Sequence, residues 1–294
     1  MSVRMQRSRP RGGAGFGLIE IMITLVLTTL VLGGIMTTFF HSSDQAQHLT
    51  AVADERQNAR TAIQLIEREL RMAGSGWGRV EIYCNDGAGI GDTLLAVNPG
   101  PVAGSGSDSL VLVGAWQAAT TLRNDMATMT SQTRVMSNTG FKNGDRFILT
   151  SGTSRAHMLM CTGVTGADII DHANTTPFNT VTSALTATWP AGGGYADTLT
   201  NVYKATITSY YFDATSFRKP VLMRHEYGSA PQVVAYNVDG FRVWYQMQDG
   251  TWTRDPSNMD FVDKVAPVVY TRDDDPGHGS RRDSVWAAVQ PRTF

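Results

Sequence analysis

The histidines, cysteines and acidic residues of this chain do not fall into the spacings that metal sites or catalytic centres require. No HxH, HExxH or CxxC pattern occurs, and neither does the G-x-S-x-G turn of serine hydrolases or the P-loop of nucleotide-binding enzymes. The six histidines are scattered at positions 41, 48, 157, 172, 225 and 278. The sequence therefore predicts no metal site, no cofactor and no enzymatic activity.

Two short patterns come closer to a ligand site. Gly87-Ala88-Gly89-Ile90-Gly91 has the glycines of a dinucleotide-binding loop, but no helical pattern follows it, so we predict a turn-rich loop. Asp273-Asp274-Asp275 offers carboxylate oxygens to calcium but lacks the alternating spacing of a calcium loop. A solvated acidic loop is the preferred interpretation of this triplet, and a calcium site is the alternative.

Glu20 is the one charged residue in a 25-residue apolar segment, Phe16–Phe40. A carboxylate inside a lipid bilayer costs about 2.5–3.5 kcal/mol, and the segment holds no Lys, Arg or His to pair with it. Two interpretations follow. Either the carboxylate reaches back to the cytoplasmic interface, or it pairs with the cationic N-terminal amine of a neighbouring subunit.

The apolar segment is long enough to cross a membrane. As a helix it measures roughly 37 Å, against a hydrocarbon core of about 30 Å. Four arginines precede it, at positions 4, 7, 9 and 11, and the next Lys or Arg is Arg56. The positive-inside rule therefore places the N-terminus in the cytoplasm and everything after residue 41 outside it. A secretory signal has its small residues after the apolar run, whereas here residues 12–15 precede it.

The junction Gly15-Phe16-Gly17-Leu18-Ile19-Glu20 resembles the cleavage signal of type IV pilins and type II secretion pseudopilins, in which a short basic leader meets a long apolar helix. The resemblance implies that prepilin peptidase cuts after Gly15 and that the new terminal Phe16 is N-methylated. Residues 1–15 are then the leader, and residues 16–40 are the transmembrane and filament-core helix. Glu20 becomes the fifth mature residue, and the family implies that its pairing in trans sets the register between subunits.

The charge distribution separates this leader from the rest of the chain. The whole chain has a net charge of −1, whereas the part after residue 15 carries 21 basic against 26 acidic residues. An acidic body argues against nucleic-acid binding through counterion release. With 17% charged residues and 29 glycines, the composition favours a β-rich exported domain.

Helical periodicity continues beyond the apolar segment, over an amphipathic stretch at residues 41–73. Gly74 predicts the end of the helix, since Gly76 and Gly78 follow it. We therefore expect one long helix, or two nearly collinear ones, with a weak point at Gly33-Gly34. The apolar stripe that we expect to pack on the following domain consists of Leu49, Val52, Ala59, Ile63, Ile66 and Leu70.

After Gly78 the periodicity changes to two, which predicts an α+β fold in which residues 74–294 form an antiparallel β-rich domain. A hairpin turn is expected at Gln248-Asp249-Gly250, and a polar surface excursion at Gly163–Leu199. The predicted strands are Thr93–Val97, Leu110–Val113, Arg146–Thr150, His157–Cys161, Thr206–Phe212, Val221–Glu226, Val233–Tyr236, Phe241–Gln246 and Val285–Val289.

Four further stretches resemble the PilW branch of the minor pilins: Arg60–Gly78, Ser107–Leu110, Gly144–Leu149 and Ser284–Val289. The resemblance implies a scarce, non-enzymatic subunit of the type IV pilus that acts in initiation or at the tip. Its implied partners are prepilin peptidase, the major pilin, other minor pilins and the bacterial inner membrane. The chain crosses that membrane once, with a periplasmic C-terminal domain, before it enters the pilus. Two alternatives stay open: a J-type minor pseudopilin of type II secretion, and a membrane-tethered binding protein that never polymerises.

Both cysteines, Cys84 and Cys161, fall in the exported part, where oxidising conditions allow a disulfide to persist. A bond between them would close a loop of about 76 residues and stabilise the domain by nominally about 4 kcal/mol. We predict this disulfide. The alternative is two separate thiols, with Cys161 in the core.

Overall fold

A computed structural model describes residues 17–78, 80–84, 93–100, 107–129, 131–151, 156–179, 189–190, 194–197, 199–217, 219–275 and 279–291 of the chain, with the backbone alone at 116–118, 177, 272–275 and 279–282. The predicted leader, with Gly15 and Phe16, lies outside these residues, as does the loop at residues 87–91.

The first element, α1, is a single helix of 55 residues, Leu18–Met72. Its threonine hydroxyls donate to carbonyls one turn back, as Thr37 does to Gly33 at 2.8 Å and Thr38 does to Gly34 at 3.0 Å. These bonds satisfy the hydroxyls within the helix, as an apolar environment requires. The helix continues through the expected weak point without a break.

Three glycines end α1 where the sequence predicted the end. Gly74, Gly76 and Gly78 have φ angles of 72°, 104° and 75°, in the left-handed region that glycine adopts without strain. The N–H of Gly74 turns away from the helix and donates to the carbonyl of Val113 at 3.0 Å. The prediction of one long helix up to about residue 73 is confirmed.

The chain forms two compact units, which divide inside α1 between Ala53 and Asp54. The first unit consists, in its described part, of the apolar helix and its first polar turns. The second unit is β-rich. Its described strands are β1 (Ile82–Tyr83), β2 (Thr93–Leu94), β3 (Val97–Gly100), β4 (Ser109–Thr121), β5 (Gln132–Arg134), β6 (Arg146–Thr150), β7 (Ala156–Met160), β8 (Gly163–Thr165), β9 (Ile169–Asp171), β10 (Asn201–Asp213), β11 (Val221–Glu226), β12 (Gln232–Tyr236), β13 (Val238–Met247), β14 (Trp252–Thr253), β15 (Val262–Asp275) and β16 (Gly279–Trp286).

A nine-stranded sheet is built around β10. One side of β10 pairs with β4, and the other pairs with β6 near its start and with β11 near its end, all antiparallel. The sheet continues through β7 to β1 and β2, and β12 and β3 complete it beside β11 and β4. The predicted antiparallel, β-rich domain is confirmed in its main part, but the pair β1–β7 is parallel, so this sheet is mixed.

The second sheet has four antiparallel strands in the order β14-β13-β15-β16. Its first two strands form the predicted hairpin, with Gly250 at a φ of 87°. β15 includes Asp273, Asp274 and Asp275, whose backbones pair with Arg281, Ser280 and Gly279 of β16. The predicted acidic loop is therefore a strand, because the pairing with β16 continues to the end of the triplet.

A third sheet, with the order β5-β9-β8, takes two of its strands, β8 and β9, from the segment where a surface excursion was expected. Within Gly163–Leu199, the side chains of Ile170, Phe178 and Tyr195 are at most 1% exposed. The excursion prediction is wrong for this described part, because these few large apolar side chains are buried within a segment whose composition is otherwise polar.

The helical stripe of the second unit lies in a core shared by two sheets. Ile66 and Leu70 of α1 are fully buried. They belong to one cluster with residues of the nine-stranded sheet, among them Leu110 and Tyr210, and with Phe241 of the four-stranded sheet. Ala59 and Ile63 continue this stripe, whereas Leu49, further towards the N-terminus, is 68% exposed.

Candidate functional site

The first candidate site is the N-terminal turn of α1. Glu20 lies there, its N–H donating to the carbonyl of Gly17 at 2.9 Å and its own carbonyl accepting the Thr24 hydroxyl at 2.9 Å. The adjacent apolar side chains are open to the surroundings, with Leu18 79% and Ile19 72% exposed. Between residues 17 and 43, Glu20 is the only acidic or basic residue apart from His41.

The apolar surface continues along the helix from this turn. The large apolar side chains between Leu18 and Phe40 are 52–79% exposed. None of the residues in the most apolar stretch of this helix is buried. Among the described residues there is therefore one helix, near the N-terminus, that is long and apolar enough to span a membrane.

A buried carboxylate anchors the other end of α1 to the nine-stranded sheet. Glu69 is 3% exposed and lies on the same helical stripe as Ile66 and Leu70. Its carboxylate accepts the Tyr210 hydroxyl at 2.7 Å and the Nε of Arg224 at 3.0 Å. A second guanidinium nitrogen of Arg224 lies 2.9 Å from the same carboxylate.

The electrostatics of this anchoring cluster, Glu69, Tyr210 and Arg224, follow from its burial. Burial raises the pKa of the Tyr210 hydroxyl, and the neighbouring Glu69 charge raises it further. Burial alone would lower the pKa of Arg224, but attraction to Glu69 outweighs it and the net shift is upward. Sequence analysis missed Glu69. The available signal was an acidic residue at an apolar-stripe position.

Two polar contacts join an earlier part of α1 to strands of the second unit. Arg56, which interrupts the apolar stripe, forms an ion pair with Asp283 at 2.8 Å. Glu55 accepts a hydrogen bond from the side-chain amide of Asn237, a residue with a φ of 58° between β12 and β13. Both contacts fall just after the division between the two units.

A second buried ion pair lies in the stretch Ser107–Leu110, one of those that resemble the minor pilins. Asp108 is 5% exposed and pairs with Arg254, whose Nε lies 3.0 Å from its carboxylate. The same carboxylate accepts the N–H of Val243 at 2.9 Å. The hydrogen bonds to Asp108 raise the pKa of Arg254. Asp108 thus joins the start of β4 to β13, a structural role.

The stretch Gly144–Leu149 also has a structural explanation. Arg146 places its guanidinium 3.9 Å from the centre of the Tyr227 ring and donates to the Tyr227 carbonyl at 2.9 Å. Burial lowers the pKa of Arg146. Asp145 forms an ion pair with Lys204 at 2.8 Å. These contacts hold β6 against β10 and its neighbours.

Two histidines are buried among aromatic and hydroxyl groups. His157 lies 4.8 Å from the Trp189 ring, centre to centre, and its Nδ1 is 2.6 Å from the Tyr195 hydroxyl. The Nε2 of His172 lies 2.8 Å from the Thr133 hydroxyl, and burial lowers the pKa of His172 to about 4. No group of three or more His, Cys, Asp or Glu side chains is placed to hold a metal ion in the described part of the chain.

The two cysteines are not joined, so the predicted disulfide is wrong in this structure. Cys84 follows β1 and packs in a cluster with Ile82 and Met158. Cys161 follows β7 and packs in a different cluster with Leu159. Alternation along β7 directs Met158 and Leu159 to opposite faces of the sheet, which separates the two sulfurs. The Cys161 thiol donates to the Gly163 carbonyl at 3.1 Å, and burial raises its pKa.

Comparisons of the chain with protein-family models, with curated proteins and with solved structures give no match. The resemblance to pilins is carried by the residues quoted from the sequence. The function is therefore argued from the two ends of α1: the exposed apolar helix with Glu20, and the anchoring cluster around Glu69.

Proposed function

We propose that this chain is a membrane-anchored filament subunit, a minor pilin of the PilW kind that acts in type IV pilus initiation or at the tip. One observation carries the proposal. Glu20 is the sole charged residue in the exposed apolar part of α1, which follows a basic segment that resembles a prepilin leader. An exposed apolar surface of this length needs lipid or a neighbouring helix to cover it.

In the assembly mechanism, the apolar surface of α1 is covered first by lipid and then by neighbouring helices. In the inner membrane, lipid covers the apolar residues of α1, and the β-rich unit lies in the periplasm. During assembly, helices of neighbouring subunits replace the lipid. Glu20 then pairs with the methylated amine of Phe16 on a neighbour, which fixes the axial position at which the helices pack. The ion pair forms in a low-dielectric environment, where attraction between opposite charges is strong.

The same features support a J-type minor pseudopilin of the type II secretion system. Deletion of the gene separates the two: loss of surface pili supports the minor pilin, and loss of protein secretion with intact pili supports the pseudopilin. A tethered protein that never polymerises is the third outcome, with both processes intact.

Processing is the first test. Intact-mass analysis of membrane fractions should give a chain that begins at methylated Phe16, after co-expression with a prepilin peptidase. A Gly15→Leu variant should keep its leader, because the bulky side chain replaces the glycine at the cut. A wild-type chain that still begins at Met1 or Ser2 would refute the proposal.

The register role of Glu20 is the second test. Glu20→Ala should enter the membrane at least as well as the wild type, because a charge is removed from lipid, but filament assembly should fall at least tenfold. Asp44→Ala is the matched control, since Asp44 is the next acidic residue along the helix and is exposed beyond the apolar segment. Normal assembly of Glu20→Ala would show that the pairing role is wrong.

A further inference from the structure

The outer face of the four-stranded sheet carries, in its described part, four aromatic rings. Directly paired residues of antiparallel strands lie on the same face. Gln246 pairs with both Trp252 and Lys264, and Val268 pairs with both Arg242 and Trp286. This aromatic face consists, in its described side chains, of Arg242, Trp244, Gln246, Trp252, Lys264, Ala266, Val268, Tyr270, Ser284 and Trp286.

Two of the four aromatic rings stand at the edges of the sheet, those of Trp244 and Tyr270 lie on the central strands, and a small apolar floor lies between the edges. Trp252 lies on edge strand β14 and is 42% exposed, and Trp286 lies on the opposite edge strand β16 and is 61% exposed. Ala266 and Val268 on β15 form the floor, at 4% and 8% exposed. The reverse face of the same strands, with Phe241, is buried in the core.

The aromatic face has a positive charge. Arg242 is exposed, and its guanidinium lies 5.6 Å from the centre of the Tyr270 ring. Lys264 lies 4.0 Å from Asp263, whose carboxylate is also bound by the Gln290 side chain. None of the described side chains of the aromatic face is acidic. This face therefore favours an anionic ligand, although the chain after residue 15 has more acidic than basic residues.

The size of the aromatic face favours a chain-like ligand over a folded protein. Three strand spacings give a width of about 14 Å, and six residue steps give a length of about 20 Å. The resulting area of roughly 300 Å² is well below the 800 Å² or so that each partner of a stable protein complex buries. Trp252 and Trp286 lie at diagonal corners, which suits a ligand that crosses the sheet.

We propose that the aromatic face binds an acidic polysaccharide strand. Pyranose rings stack their apolar faces on indole rings, and their carboxylates and hydroxyls match the donors of Arg242, Gln246 and Ser284. Single-stranded nucleic acid also stacks on aromatic rings, but it needs a basic groove that follows its phosphates, and the described face offers only two cations. The proposal is independent of filament assembly, because every residue of the face lies on one sheet of the second unit.

Binding is tested with the full chain reconstituted in phosphatidylcholine nanodiscs. Tetragalacturonate is the acidic probe, maltotetraose is the neutral probe, and a twelve-residue thymidine oligonucleotide is the nucleic-acid probe. Tetragalacturonate should quench tryptophan fluorescence saturably and bind at least tenfold more tightly than maltotetraose. Trp286→Ala should weaken this binding at least tenfold. Arg242→Gln should reduce the preference for the acidic sugar while binding of the neutral one changes less than twofold.

Tyr236→Ala is the matched control, since Tyr236 is 60% exposed but lies on β12 of the other sheet. This variant should bind the acidic probe as the wild type does. Tighter binding of the oligonucleotide would overturn the proposal in favour of a nucleic-acid surface. Dimerisation that Trp286→Ala abolishes would assign the face to a second copy of the chain, and equal binding by Trp286→Ala and wild type would refute the site.

Discussion

Two glutamates on α1 experience opposite environments, and the contrast shows how position determines what a carboxylate does. Glu20 lies among exposed apolar residues in the first turn, where its charge would be costly in lipid. Glu69 lies in the last turns and is buried against Arg224 and Tyr210 of the same chain. In the proposed filament the first residue pairs with a neighbouring subunit, whereas the second holds the helix to its own sheet.

Removal of the Glu69 carboxylate should destabilise the second unit. Glu69→Ala leaves the Arg224 guanidinium and the Tyr210 hydroxyl without their main partner, which we expect to lower the free energy of unfolding by about 2–4 kcal/mol. Arg71→Ala is the control, because its exposed pair with Glu67 contributes less than about 0.5 kcal/mol. Urea unfolding followed by circular dichroism measures both. Equal effects of the two variants would contradict the anchoring role.

His172 should make stability depend on pH in a defined window. Its folded-state pKa of about 4 lies below the ordinary value of 6.5, so the folded state disfavours the proton. The folded state is therefore most stable, with respect to this histidine, above pH 6.5. As the pH falls towards 4, protonation of the unfolded chain lowers the free energy of unfolding by up to about 3 kcal/mol. His172→Gln should flatten the fall in stability between these pH values, and His41→Gln, at an exposed position, should not. Unfolding curves at several pH values test this, and an unchanged slope in His172→Gln would count against it.

At the scale of elements, the sequence predicted regular, strongly patterned segments and failed where pattern and environment conflict. The predicted strands Arg146–Thr150 and Val221–Glu226 match β6 and β11 residue for residue, because each contains three consecutive apolar residues and is bounded by turn residues. β15 was missed, since Pro267 in its middle and three aspartates at its end are unfavourable in strands. Pro267 is accommodated opposite Val243 of β13.

The stripe on α1 should contribute stability only where the structure buries it. Ile66→Ala removes a fully buried side chain and should lower the free energy of unfolding by about 2–5 kcal/mol. Leu49→Ala should change it by less than about 0.5 kcal/mol, because Leu49 is 68% exposed although it belongs to the same predicted stripe. Thermal unfolding of the two variants in the same nanodiscs checks the difference. A comparable loss of stability in Leu49→Ala would mean that apolar periodicity alone identifies the residues of α1 that pack.

At the scale of the whole molecule, local sequence signals predicted the organisation, but contacts distant in sequence remained hidden. The apolar helix, Glu20 and the change to strands after Gly78 can each be recognised from a short stretch of consecutive residues. The partners of Glu69 lie 141 and 155 residues away, and no local pattern links them to it. The cysteine prediction failed for the same reason, since two residues in one domain need not lie on one face of a sheet. The candidate site was therefore predicted at its N-terminal end and missed at its anchored end.

The last prediction concerns abundance, which follows from the size of the whole subunit. Cleavage after Gly15 leaves 279 residues, and the part after Ala53 folds into three sheets, a large body to repeat along a dense helical shaft. Thr37 stands where the resemblance places the proline common in major pilins, and its hydroxyl instead closes a bond to the Gly33 carbonyl in an unbroken helix. A regular helix without this break matches shaft packing less well, whereas a subunit at the tip has fewer neighbours to fit.

We therefore expect this chain to be at least tenfold less abundant than the principal pilin in sheared filaments. Quantitative mass spectrometry with isotope-labelled reference peptides measures the ratio, with total membrane as the control for expression. If this chain proved the most abundant pilin, the minor role would be wrong, while processing at Phe16 would still support a pilin.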